Sequence, residues 1–171
     1  MVTGMDTTTG LSSQNISHLY EEDFYAWTQE QAKLLRSRVW DSLDIENLAE
    51  EIESLGKQVR QELRNRLGVL LGHLLKWEFQ PSKRSKSWFV TMREQRRRIL
   101  EHLKENPSLK PYLPEALEKA YKDGIDLAVR ETSLNDEDFP DECPYAIEQV
   151  LDATFFPGQP VEYGQNWVVD N

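Results

Sequence analysis

Between Ile45 and Trp77 the apolar residues Ile45, Leu48, Ile52, Leu55, Val59, Leu63, Leu67, Leu70, Leu74 and Trp77 step by threes and fours, with no proline before Pro81. This is the spacing of one face of an α-helix, whereas a strand would alternate by twos, so the stretch commits the chain to helical architecture. Run continuously to Pro81, the helix would reach about 54 Å at 1.5 Å per residue. A compact chain of this length is only about 40 Å across. The helix must therefore protrude, bend or break. Gly56, the poorest helix former in its first half, is the expected bend. Asp44 precedes the run as an N-cap, and Glu46, Glu50 and Glu51 suit the positive end of the helix dipole.

Shorter periodic segments surround it. Phe24, Trp27, Gln31 and Leu34 with Leu35 predict a helix from about Tyr20 to Arg38. Ser87 is placed to cap a third helix. Trp88, Met92, Gln95, Ile99 and Leu103 mark one side of it, Arg93, Arg96, Arg97 and Arg98 occupy much of the rest, and it stops before Asn106-Pro107. Pro114 opens a fourth helix, whose Ala116, Ala120, Gly124 and Ala128 form a ladder of small side chains. Gly68 and Gly72 cut a matching notch, so the second and fourth helices are expected to cross at short distance. Pro144 opens a short helix carrying Tyr145, Ile147, Val150 and Leu151, and Phe155-Phe156-Pro157 should pack on the bundle. The predicted fold class is all-α: a helical bundle of about four main helices plus a short C-terminal helix. Residues 1–17 read as a flexible N-terminal tail, 18–157 as one bundle domain and 158–171 as a C-terminal tail.

Charge is unevenly spread. The chain has 171 residues, with 20 basic and 30 acidic side chains and a net charge of −10. Residues 1–80 carry 8 basic and 13 acidic groups, residues 81–130 carry 12 and 7, and residues 131–171 carry 0 and 10. The acidic total argues against non-specific nucleic-acid binding by the whole molecule. A basic middle beside an acidic end can also attract that end within the folded chain. The run Val69–Leu75 falls far short of the ~20 residues of a membrane span, so no membrane association is expected. A lone Cys143 and the absence of a basic-then-apolar leader point to a cytoplasmic protein.

Three constellations could carry chemistry. Glu46, Glu50 and Glu53 share a helix face, with Glu51 beside them. Such carboxylates can hold Mg²⁺, although helical di-metal sites use Glu-x-x-His pairs, which the chain lacks. A solvated acidic face is the plainer reading. His73 lies inside the apolar run and is expected to be a neutral core histidine with a hydrogen-bond partner. Lys83, Arg84 and Lys86, followed by Arg93, Arg96, Arg97 and Arg98 with Trp88 and Phe89 among them, could hold anions or stack bases. The same arginines could instead bridge to Glu50, Glu51 or Glu131. No phosphate-cradling glycine loop, paired-cysteine motif, nucleophile elbow or His-Glu-x-x-His occurs. No catalytic residue, metal ligand or cofactor is assigned.

The ordered pieces Leu19-Tyr20-Glu21, Asp23-Phe24-Tyr25-Ala26-Trp27, Leu43-Asp44, Glu46-Asn47-Leu48 and Glu50-Glu51-Ile52-Glu53 continue in His73-Leu74-Leu75-Lys76-Trp77, Ser87-Trp88, Arg93-Glu94-Gln95-Arg96-Arg97, Phe139-Pro140 and Cys143-Pro144. Over residues 18–157 this pattern resembles the bacterial, largely cyanobacterial, domain-of-unknown-function family 29. The resemblance implies a helical fold and no reaction. It also marks Glu50, Glu51, His73, Lys76, Arg93 and Arg97 as recurring polar positions, expected either to converge on a cleft or to form a register-fixing network. Lys83, Arg84, Lys86 and Arg96 are the candidate anion-binding set. The expected function is a small helical interaction module for a protein partner. The alternatives are a metal-dependent phosphohydrolase or nuclease using the acidic face and His73, and nucleic-acid binding through the third helix. Homo-oligomerisation stays open.

Overall fold

A computed structural model describes residues 13–160 of the chain. Of the expected tails, residues 1–12 and 161–171 lie outside the described residues. The chain divides into two compact units, one ending at Lys57 and the other beginning at Gln58. All regular structure among the described residues is helical, as the apolar periodicity requires.

The first unit contains α1 (Ser13–Glu22), α2 (Phe24–Arg36), a 3-10 turn at Trp40–Ser42 and the start of α3 (Ile45–Phe79). Helix starts earlier than Tyr20, with α1 occupying part of the expected tail. Asp23 separates the first two helices, its carboxylate accepting Ala26 N–H at 3.0 Å as the N-cap of α2. Polar groups on α2 tie it to the start of α3. Trp27 Nε1 donates to Asp44 Oδ2 at 3.2 Å, Asn47 Nδ2 to the same oxygen at 2.8 Å, and Asp44 N to Gln31 Oε1 at 3.0 Å. The Asp44 side chain thus serves Trp27 and Asn47, while its carbonyl accepts Leu48 N–H at 2.9 Å.

Helix α3 runs unbroken through Gly56 for 35 residues. Its part in the second unit supplies the centre of the core, with Leu63, Leu67, Leu70, Leu71, Leu74, Leu75 and Trp77 buried. Around it lie α4 (Lys86–Glu105), α5 (Leu113–Glu131) and α6 (Ile147–Leu151). Ser85, two residues before the expected cap, starts α4 by accepting Trp88 N–H at 3.3 Å. Phe156 stacks against Phe89 at 5.5 Å and tilts onto Trp77 at 5.4 Å, as the packing of Phe155-Phe156-Pro157 predicts.

The notch and the ladder meet. A Cβ on Gly124 would stand 3.0 Å from Gly72 N and 3.0 Å from Leu71 Cβ, and one on Gly68 would stand 3.1 Å from Asp123 Cβ. Helices α3 and α5 therefore touch through main chain, which only glycine or alanine at the crossing allows. Arg64 fastens the flank with a two-pronged contact to Asp123, Nε to Oδ2 at 2.8 Å and Nη2 to Oδ1 at 3.1 Å.

Candidate functional site

Helix α4 carries a charge on its buried stripe. Phe89, Met92, Arg96, Ile99 and Leu103 recur at threes and fours and all are buried, with Arg96 only 3% exposed. A buried guanidinium needs partners for its donors, and Arg96 finds them in main chain. Nε donates to Val150 O at 2.9 Å, Nη2 to Phe155 O at 2.6 Å and Nη1 to Ala153 O at 3.5 Å. Its guanidinium also lies 5.3 Å from the centre of the Phe156 ring. Burial pulls its pKa down to about 10, which leaves it charged at neutral pH.

Arg84 does similar work at the other end of the segment. Its Nε donates to Trp77 O at 2.9 Å, Nη1 to Gln159 O at 2.8 Å and Nη2 to Pro157 O at 3.4 Å. Two of the four candidate anion-binding residues, Arg84 and Arg96, thus aim these donors at the chain's own carbonyls, while Lys83 and Lys86 are exposed. The expected attraction between the basic helix and the acidic end takes an unexpected form, since carbonyl dipoles receive the guanidinium. The Asp152 carboxylate accepts from Thr154 N and Oγ1, both at 2.8 Å, and its charge adds to the hold on Arg96.

Held by these arginines, residues 150–157 wall a groove of about 580 Å³ along α4. Phe89, Leu100, Leu151 and Phe156 make its surface apolar, and Arg93, Arg97, Glu101 and Lys104 line its edge. The Arg93 guanidinium lies 5.9 Å from the Phe89 ring centre, and Arg97 Nη1 pairs with Glu101 Oε1 at 2.9 Å. The edge carries more positive than negative charge. The sequence groups Arg93 and Arg97 with His73 and Lys76, whereas here they line the groove beside Leu100, Lys104 and Phe156, which the sequence leaves outside that group. Leu100 does follow Arg93 by seven and Arg97 by three residues on one helix, a signal that could have placed it beside them.

Lys76, His73 and Glu131 form a separate polar group in the second unit. Lys76 is 1% exposed, its Nζ 2.6 Å from Glu131 Oε2 and 4.5 Å from the centre of the Trp88 ring. The hydrogen bond from Lys76 holds the Glu131 carboxyl below its usual range. Glu131 thus pairs with Lys76, where the sequence suggested an arginine. Removing the carboxylate strands a buried ammonium, whereas replacing the ammonium by an apolar group leaves a carboxylate that is 43% exposed and stays hydrated. Glu131→Ala is accordingly expected to destabilise the chain by about 2–3 kcal/mol, the low end because Glu131 itself is part-exposed, and Lys76→Met by less than about 1 kcal/mol. Urea unfolding of the two variants measures the difference.

His73 Nδ1 lies 2.8 Å from Val69 O, so in the neutral ring Nδ1–H donates and Nε2 is left bare. Burial, with the Lys76 charge adding to it, pushes its pKa below the ordinary 6.5. In the window just below 6.5 the unfolded chain therefore binds more protons than the folded one, and stability falls as the pH falls towards the folded value. Urea midpoints measured from pH 7.5 to pH 5 should show this decline, and His73→Gln should flatten it.

The remaining candidates lie in the first unit. Glu50 is exposed, and Glu51 Oε1 accepts the Tyr20 hydroxyl at 2.7 Å. Among the described residues no group of three or more His, Cys, Asp and Glu side chains is arranged to hold a metal ion. No described helix is long and apolar enough to cross a membrane.

Residues 19–156 match the model of a family described as Domain of unknown function DUF29. No curated protein and no solved structure matches the chain.

Proposed function

Because the chain belongs to the DUF29 family, whose description assigns no activity, we propose from the surface itself that the protein is a small cytosolic helical binding module whose working face is the α4 groove. The observation that carries this reading is an apolar floor and a basic edge on a single helix, with the opposite wall held by buried arginines. Such a surface favours an extended or helical segment of a partner protein that alternates aromatic or aliphatic side chains with acidic ones. Apolar burial supplies affinity, while Arg93, Arg97 and Lys104 steer the acidic groups and make binding weaken with salt.

Selection of displayed random peptides on the full chain tests this. The expected result is enrichment of acidic–aromatic sequences whose binding is lost in Leu100→Glu and reduced roughly tenfold, about 1.4 kcal/mol, in the Arg93→Ala, Arg97→Ala double variant. Peptides held equally by both variants, or retention of a DNA duplex in their place, would contradict the reading.

A further inference from the structure

The described residues of the first unit form almost no core. Between residues 18 and 57 only Trp27 and Gln31 are buried. Eight of the ten large apolar side chains exposed among the described residues lie between Phe24 and Leu55. Folded segments this short ordinarily need a disulfide, a metal or association to make up the burial that they lack.

Three of the exposed residues form one row on α3, with Ile45 61%, Ile52 67% and Leu55 60% exposed, and Leu48 lies half-buried among them. Their spacing is 3, 4 and 3, the register of a coiled-coil seam, with Ile45 and Ile52 at a positions and Leu48 and Leu55 at d positions. A β-branched residue at a with leucine at d is the combination that favours two parallel strands. The e positions beside the seam are Ala49 and Gly56, and a Cβ on Gly56 would meet nothing within 4 Å. In a parallel pair Glu51, at g, would face Gly56 of the other helix, so no like charges meet across the seam. Glu46, Glu50 and Glu53 fall at b and f, away from it.

We propose that a second copy of this chain covers the row, α3 lying parallel to α3 about a two-fold axis with Ile45, Leu48, Ile52 and Leu55 as the shared seam. The pair differs from the peptide groove in place and in partner, and neither depends on the other. Two heptads per copy bury less than the roughly 1,000 Å² of a tight interface, so the expected dissociation constant is of micromolar order.

Sedimentation equilibrium of the full chain from about 5 to 200 μM should show the mass rising from 20.0 kDa towards twice that value. The Ile52→Lys, Leu55→Lys double variant should stay monomeric with unchanged far-ultraviolet circular dichroism, because both side chains are exposed in the single chain. A monomer throughout, or a dimer that survives the lysines, would overturn the proposal. Orientation is read separately with Ile45→Cys in a Cys143→Ser chain. A parallel seam brings the two introduced thiols together, and oxidation should give a cross-linked dimer. An antiparallel seam would hold them about 20 Å apart, and failure to cross-link would overturn the parallel arrangement. The cysteine arm also stands if the lysine pair unfolds the chain.

Discussion

Gly124→Leu is expected to abolish cooperative folding of the second unit, or to destabilise it by more than about 3 kcal/mol. Even the first added carbon would stand 3.0 Å from the main-chain nitrogen of Gly72 and 3.3 Å from the carbonyl oxygen of Gly68. Neither atom can rotate away as a flexible side chain can, so α3 and α5 would have to separate. Separation would open the layer formed by Leu71, Ala120 and Ala128, all buried, and would strain the Arg64–Asp123 contact. Gly124→Ala isolates the contact itself. Alanine gains about 1 kcal/mol in helix propensity, and overpacking costs about 1–3 kcal/mol, so the net loss should be near 1 kcal/mol. Gly56→Ala is the control, because space is open there and only the propensity gain of about 1 kcal/mol should remain. Urea unfolding followed by circular dichroism orders the three: strong loss, small loss, small gain.

Arg96→Met is expected to cost about 3–5 kcal/mol, since a hydrogen bond to a charged group contributes about 1.5–3 kcal/mol and a stranded buried acceptor costs about 1–3 kcal/mol. The thioether fills much of the guanidinium's volume, so the loss reports hydrogen bonding more than cavity formation. It leaves Val150 O and Phe155 O without the donors that lie 2.9 and 2.6 Å away. The damage should also be local. Release of residues 150–157 removes one wall of the groove, so amide exchange should quicken at Val150 and Phe155 well before it does at Leu70 or Leu74. Arg96→Lys should recover little, because one ammonium cannot span carbonyls set out to match a planar fork. Equal protection throughout, with stability unchanged, would show that the clamp is not structural.

The parts of the fold that were legible are those in which a repeat in the sequence is itself a surface. Small residues every four positions in α5 and at Gly68 and Gly72 specify a close crossing because nothing else about them can vary. The heavy apolar seam of α3 is equally explicit. Caps were less so: Ser85 and Ser87 stand two apart before the same apolar run, and composition cannot choose between them. The start of α1 was missed because Ser13, Gln14 and Asn15 favour caps and turns as readily as helix.

Along the groove, the Arg-rich face that carries Arg93 and Arg97 could be read from the sequence, but the roles of Arg84 and Arg96 could not. Their acceptors are carbonyls up to 76 residues away in sequence, and a carbonyl has no side-chain identity to signal it. One clue was available. Arg96 interrupts the stripe Phe89, Met92, Ile99 and Leu103 at a position where an apolar residue is due, and a charge there has to be satisfied from within. Lys76 stands likewise inside the run from Leu70 to Trp77, every member of which is buried.

The groove as the working face is tested most directly by amide chemical-shift mapping of the ¹⁵N-labelled full chain titrated with 8-anilinonaphthalene-1-sulfonate, an aromatic anion of the chemistry expected there. The account predicts saturable shifts centred on Phe89, Arg93, Leu100, Thr154 and Phe156, weakened by salt and absent in Leu100→Glu. Shifts centred on α5 or in the first unit, with α4 silent, would contradict it.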